Sequence, residues 1–531
     1  MDVCPLAVAR ISLAVAPYCY EDIAGVSEWR ERLHWPVGQD EIAAIGKALP
    51  GALLAFAGSM ADPFERQVAV VGAGLLGNGF MSLLEAAWVS ERAETLALEV
   101  RGGPPEMALL HAGQSDFPVQ EYRGPFAVKP VPQAGLRAVA RTASWTSPWR
   151  LPSSLLAPEA VAISHNALLI ETARQRRVAY HHAANILAAA RERGKTPVPE
   201  SVLGIPDRAL DCLLTLVPAL REPYRERLRR AFVARLRNTF ARVAADIAAL
   251  RHARLPSTLW SGTNGAYATR AIASEVLRRG GTVDVFDHGG VTGISQLAGS
   301  TALIELATST CFHVATPEWA ALLGATDAQT LASPINRAAI TGERGEPTFR
   351  RAFRDGIGRT GSRRRVIYVG HPYRGLRQFP LVSLPDVVYW DFQIDVIEQL
   401  KRLPIDLLCK PHPEGHFVGR RNPIEDLAPT SYLRFEEHLD DADVFVFDAP
   451  TSTTFLESLC TRRPVVLIDR SYPLNPAVWP HVKARCRIVQ ARPDSRNRLR
   501  VDPTELADAV LDGPAAADPA YFRRLTAGET V

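Results

Sequence analysis

At 531 residues the chain is longer than one ordinary core can use, so two or three domains are expected. A hydrophobic share of 47% with 22% charged residues is that of a soluble globular protein. The formal net charge of +4 is small for this length and excludes bulk electrostatics as a ground for nucleic-acid binding. The seven cysteines, Cys4, Cys19, Cys212, Cys311, Cys409, Cys460 and Cys486, are scattered and form no CxxC pair. That argues against a disulfide framework or a zinc site and fits a reducing, cytoplasmic compartment.

The start, Met1 to Tyr18, is apolar but lacks a basic leader and is broken by Pro5, Arg10 and Pro17, so it reads as a first strand. Without a run of eighteen or more apolar residues, no membrane span is expected. Peripheral contact with the inner face of the cell membrane is compatible with this reading.

Residues 1 to about 150 suggest an α/β unit. Val68-Ala69-Val70-Val71 reads as a strand, followed by Gly72-Ala73-Gly74-Leu75-Leu76-Gly77 and a helical pattern. Glu99 follows about twenty residues on. This is the layout of a dinucleotide fingerprint, with an NAD-dependent oxidoreductase as the alternative of another class. A bare strand-to-helix turn explains the glycines equally simply. Gly113 to Pro158, with Ser144-Trp145-Thr146-Ser147-Pro148-Trp149, reads as an irregular connector.

Residues 159–252 read as mainly helical. Ser164-His165-Asn166 opens a helical run, and His165 and Asn166 are candidates to reach the cleft; Ser164 or Asn166 equally suits an N-cap. His181-His182 lacks ligand spacing on one helix face. The helix from Pro223 has an apolar stripe from Leu228 to Leu250. Its other face carries Arg225, Arg227, Arg229, Arg230, Arg235, Arg237 and Arg242. That face is either solvated or a contact for anionic lipid or polymer.

From 256 to 325 strands and helices alternate, as in a parallel sheet. The strand Val283–Phe286 ends in Asp287-His288-Gly289-Gly290. One strand earlier lies Asn264-Gly265. Residues 346–362 read as a linker. They divide an N-terminal lobe, 1–345, from a C-terminal lobe and tail, 363–531. The second lobe opens with Val366–Val369, ending in Gly370-His371-Pro372-Tyr373-Arg374. Leu407-Leu408 leads into Cys409-Lys410-Pro411-His412-Pro413-Glu414, and 444–447 leads into Asp448 and Ser452-Thr453-Thr454. Ligands of open parallel sheets bind beyond the carboxyl ends of the strands, so both loops are expected to face one phosphate-bearing ligand. Beyond Pro503 one amphipathic helix and a polar end are expected.

The second half resembles the donor domain of GT-B-fold bacterial transferases, namely Kdo and sialic acid transferases and glycerol-phosphate polymerases of surface polysaccharide synthesis. The matching residues are His412-Pro413 and Ser452-Thr453-Thr454, with Glu457 similar to a ribose-binding glutamate. The resemblance covers roughly 256–475. It implies two Rossmann-like α/β lobes with a helical insertion in the first. The implied reaction moves a sugar from a CMP-activated donor to a glycan or lipid-linked acceptor. A CDP-polyol phosphotransferase is the alternative. Lys410, His412, Pro413, Ser452, Thr453, Thr454 and Glu457 would hold the nucleotide. Asp287 and His288 are the catalytic candidates, because an acceptor hydroxyl must lose its proton. Asn264, Gly265, Gly289, Gly290 and His165 are candidates to line the cleft. Neither a cofactor nor a catalytic metal is expected.

Overall fold

Short apolar runs rich in Val, Ile and Phe, each ending abruptly in polar residues, form strands buried on both faces. In this computed structural model the described residues are 12–15, 28–101, 151–183, 185–192, 197–290, 292–353, 363–373, 384–413, 420–512 and 518–529. Positions 23, 26, 110, 139, 143 and 417 are described singly. The Trp145–Trp149 stretch, Arg374 and Glu414 lie outside them. Strands β1 (Leu13–Val15) and β2 (Glu99–Arg101) pair in parallel.

The first large sheet uses β3 (Ala160–Ala162), β4 (Tyr180–His182), β5 (Thr258–Ser261), β6 (Thr282–Phe286), β7 (Cys311–Val314) and β8 (Ala339–Gly342). The second uses β9 (Arg364–Val369), β10 (Ile405–Lys410), β11 (Val444–Phe447), β12 (Val465–Asp469), β13 (Arg487–Pro493) and β14 (Leu499–Val501). The spatial orders are β4-β3-β5-β6-β7-β8 and β10-β9-β11-β12-β13-β14. Both sheets thus repeat one winding, in which the second strand lies outside the first and the third lies inside it. All pairs are parallel except β13 with β14. Such a sheet reverses direction between its first and third strands, which leaves a crevice at their carboxyl ends.

Several expectations are corrected. Val68–Gly77 is neither a strand nor a turn. It lies inside one helix, Pro63–Thr95, capped by Asp62, whose side chain accepts from Glu65 N at 2.8 Å. Nearly every face of this helix is buried, because it packs along the helix Glu222–Arg251. The glycines serve that approach: a Cβ on Gly72 would stand 2.6 Å from the Phe240 ring, and one on Gly79 3.0 Å from Leu236. Glu99 pairs with Arg32 and Arg101 rather than facing a ribose. The fingerprint reading therefore fails on geometry.

Gln39–Gly58 and Pro63–Thr95 are each long and apolar enough to cross a membrane, but the apolar windows are 50% and 89% buried within the protein. Tyr180–His182 is a strand, not part of a helix, and with β3 it carries the mainly helical segment into the first sheet. On the helix Glu222–Arg251, Arg225, Arg229, Arg230 and Arg237 pair with Glu222, Asp211, Glu226 and Asp207, so part of the basic face is matched at the surface by the protein's own acids. The stretch read as a linker begins with a packed turn of helix, Pro347–Arg351, whose Phe349 is fully buried. The tail holds two helices, Pro503–Leu511 and Ala520–Ala527. The second crosses back: Thr316 donates to Leu525 O, and Glu346 N donates to Thr526 O.

Gly72→Ala sets helix propensity against packing. Alanine gains about 1 kcal/mol in a helix interior, whereas forcing a methyl into a filled contact costs about 1–3 kcal/mol. Packing wins at 2.6 Å from a buried ring, so the variant is expected to unfold at lower urea concentration. Unchanged or raised stability would mean that the helices do not meet there.

Candidate functional site

The carboxyl ends of β6 and β11 face each other. Beyond β6, Gly289 and Gly290 adopt positive φ of 83° and 70°, a region open to glycine at little cost. A Cβ on Gly289 would collide with the Thr453 hydroxyl. One on Gly290 would stand 2.9 Å from Trp319 and 3.0 Å from Leu456. The loop after β6 therefore lies flush on the start of the helix Thr453–Cys460. Next to it, Gln296 N donates to Pro473 O at 2.8 Å, Asn475 N to Ile294 O at 2.6 Å, and Asn475 Nδ2 to Gly293 O at 3.1 Å. Asp287-His288-Gly289-Gly290 and Ser452-Thr453-Thr454 are thus brought together across the seam.

Asp287 is 2% exposed. Burial, with Glu305 nearby, pushes its carboxyl up to about 7. The Thr292 hydroxyl, donating to Oδ1 at 3.0 Å, and the nearby amides of His288 and Gly290 offset only part of that. Its Oδ2 has no hydrogen-bond partner among the described residues. Asn166 positions this corner. Its Nδ2 donates to the carbonyls of Gly262, Phe286 and Asp287 at 2.8–2.9 Å, while its Oδ1 caps the helix Ala167–Arg176 through Leu169 N. His288, next in the chain, is exposed.

Two further acids close the seam. Glu346, 4% exposed, is pushed up to about 8 by burial and by the charge of Asp287. Glu457, 3% exposed, is also pushed up to about 8, by burial and by Glu436 and Glu346, with Arg351 acting against this. Glu346 is thus the shared like-charge neighbour of Asp287 and Glu457. A carboxyl whose ionisation falls near neutral pH is suited to accept a proton there.

The other expected site residues divide. Ser452 is the true N-cap, accepting from Phe455 N at 3.1 Å, with Thr454 Oγ1 2.8 Å from its hydroxyl. Thr453 opens the helix and faces Gly289. His412 is half-buried and Pro413 exposed on the loop after β10. That strand is not next to β11; β9 lies between them. His412 is therefore about two strand spacings, ~10 Å, from the Ser452 loop. The loop beside Ser452 is instead Gly370-His371-Pro372. His371 N donates to Asp448 Oδ1 at 3.2 Å and to the Tyr389 hydroxyl at 2.5 Å. Asp448 is buried and also accepts from the Tyr368 and Tyr389 hydroxyls, so it orients its loop.

Lys410 is corrected. It is 6% exposed, and its ammonium is turned inward to donate to Leu433 O instead of standing free on the loop. Asn264 is corrected too. It is fully buried, its Nδ2 donating to Thr308 O and Oγ1 at 3.1 Å and its N to Glu305, so it braces the loop and does not line a cleft. Gly265 is exposed beside it. His165 packs its ring 4.5 Å from that of His182, at the end of β3. Sequence reasoning missed Glu346 and His371 as site residues, the His-Pro corner at 371 being the one signal for either. Of the two roles it offers Asn166, the N-cap is the one seen.

No protein-family model matches the chain, and no curated protein matches it. The site's chemistry therefore stands on its own geometry.

The three acids set a pH dependence. Between their ordinary values, 3.8 for Asp and 4.5 for Glu, and the folded values of about 7 and 8, each is protonated in the folded protein and ionised in the unfolded chain. The folded state then binds more protons, so these groups make stability fall as pH rises from about 4.5 to about 8. Glu346→Gln removes one such group and relieves Glu457. Its stability-versus-pH curve, measured by urea unfolding, is expected to be flatter than that of the wild type over this window. A parallel curve would show that the acids ionise freely.

Proposed function

We infer that the chain is a GT-B-like, two-lobed glycosyltransferase that takes its sugar from a cytidine-nucleotide donor. One observation carries the reading: the contact of Gly289 with Thr453 sets a neutral-pH carboxylate, Asp287, against a helix start built from Ser452, Thr453 and Thr454. Supporting it are two parallel sheets of the same winding, whose crevices open at carboxyl ends.

The roles follow from the chemistry. The amides and hydroxyls at the start of Thr453–Cys460, with the helix dipole behind them, meet the negative charge of a nucleotide phosphate. His371-Pro372, beside β11, takes the donor-side place that sequence reasoning gave to His412-Pro413. Asp287 accepts the proton of the acceptor hydroxyl as the bond to the leaving phosphate breaks. His288, exposed one residue on, shares the mouth of the site and serves acceptor or leaving group. The sugar and the acceptor are a bacterial surface-type sugar and a glycan or its lipid-linked precursor, on the strength of the resemblance alone.

CMP, CDP, UDP and NAD titrated against the protein in a thermal-shift experiment test the donor class. CMP is expected to stabilise, and Ser452→Ala to weaken that effect. Stabilisation by NAD alone would sink the reading. With a CMP-sugar in hand, Asp287→Asn is expected to lower kcat by about 10²–10⁴-fold while CMP binding persists. The wild-type kcat/KM should rise through a limb near pH 7 as Asp287 loses its proton. Full turnover in Asp287→Asn would remove it as the base.

A further inference from the structure

On one face of the first sheet, side chains from β6 and β7 converge. Cys311 and His313 are two residues apart on β7 and so point the same way, and Cys311 lies opposite Asp284 in the register with β6. One ligand atom from each of Asp284, Cys311 and His313 lies within 4.8 Å of the other two.

The surroundings prepare these atoms as donors. His313 Nδ1 is 2.8 Å from Glu343 Oε1, and Arg176 also bonds Glu343. With Nδ1 held against that carboxylate, an ion entering between His313 and Asp284 would bind Nε2 in exchange for the proton these two groups share. Nε2 lies 3.4 Å from Asp284 Oδ1, at the long limit for a hydrogen bond. Ligand atoms each ~2.0 Å from a tetrahedral ion are ~3.3 Å apart. The second Asp284 oxygen accepts from Trp260 Nε1 at 3.0 Å, which leaves Oδ1 for a ligand. Cys311 Sγ is 2.7 Å from the Thr341 hydroxyl, a donor suited to a thiolate.

We propose that Asp284, Cys311 and His313 form a binding site for one divalent transition metal of zinc type, with Glu343, Trp260 and Thr341 fixing the three ligands. The donor set is one carboxylate, one thiolate and one neutral imidazole, so its charge matches that of the dication. Cys311 and Asp284 are half-buried, and the fourth coordination position opens on that side. The ion ties β6 to β7 three residues before Asp287. The site is independent of the proposed transferase reaction.

The test uses untagged, full-length protein stripped with a chelator. Equilibrium dialysis is expected to show uptake of one equivalent of Zn²⁺, and Co²⁺ in its place should give tetrahedral d–d bands with thiolate charge transfer. Cys311→Ser and His313→Gln are each expected to weaken uptake by more than about tenfold. Should a variant fold poorly, the wild type still decides: Zn²⁺ should slow alkylation of Cys311, located by peptide mass mapping, and leave Cys212, also free and half-buried, unchanged. No stoichiometric uptake by the wild type overturns the proposal. So does uptake that survives both variants, or alkylation of Cys311 that ignores the metal.

Discussion

The seam between the two sheets rests on backbone lying against a helix start. Two consecutive glycines in left-handed conformation remove the Cβ atoms that would hold the loop after β6 away from Thr453 and Leu456. Everything else at the seam is spaced by that contact. The loops 293–296 and 473–475 exchange backbone hydrogen bonds beside it, and Ser295 bridges Leu474. The last helix returns to Thr316 and Glu346, and the segment around Arg30 and Trp35 binds the far sheet through Asp391, Arg496 and Asn497. A side chain at 289 would push the loop that carries Asp287 away from the start of the helix Thr453–Cys460.

Closing the seam excludes water from Asp287, Glu346 and Glu457. Burial alone disfavours a carboxylate; Glu305 adds its field to Asp287, Asp287 to Glu346, and Glu346 to Glu457. A neighbouring arginine would have paired them and held them ionised. Arg270, itself buried, faces Glu305 instead, and Arg351 reaches only Glu457. The arrangement costs stability at neutral pH and leaves a carboxyl poised there.

Much of the framework was legible. Val444–Phe447 and the helix from Thr453 follow from an apolar run ended by a Ser/Thr cluster, and the strands before Asp287 and Gly370 follow likewise. The misreadings have physical causes. At Val68–Gly77 the glycines could belong to a phosphate loop or to close helix packing, and only Phe240 and Leu236, over 150 residues away, decide between them. β3 and β4 are three residues each, too short for a periodic signal. Glu346 sat in a stretch whose composition resembled a linker. Chain order sets the loops after β10 and β11 side by side, whereas β9 inserts between the two strands.

The sequence by itself determined where strands end and which polar residues stand at those ends, because strand length, helix caps and glycine turns are local choices made within a few residues. It also excluded a cysteine framework of the CxxC kind, which is read from spacing. Only the tertiary structure decided which ends meet, which acids lose water, and that Asp284, Cys311 and His313 share one face. Strand order and burial are set by packing between residues far apart in the chain. The ionisation of Asp287 and the convergence of the three ligand atoms are properties of that packing.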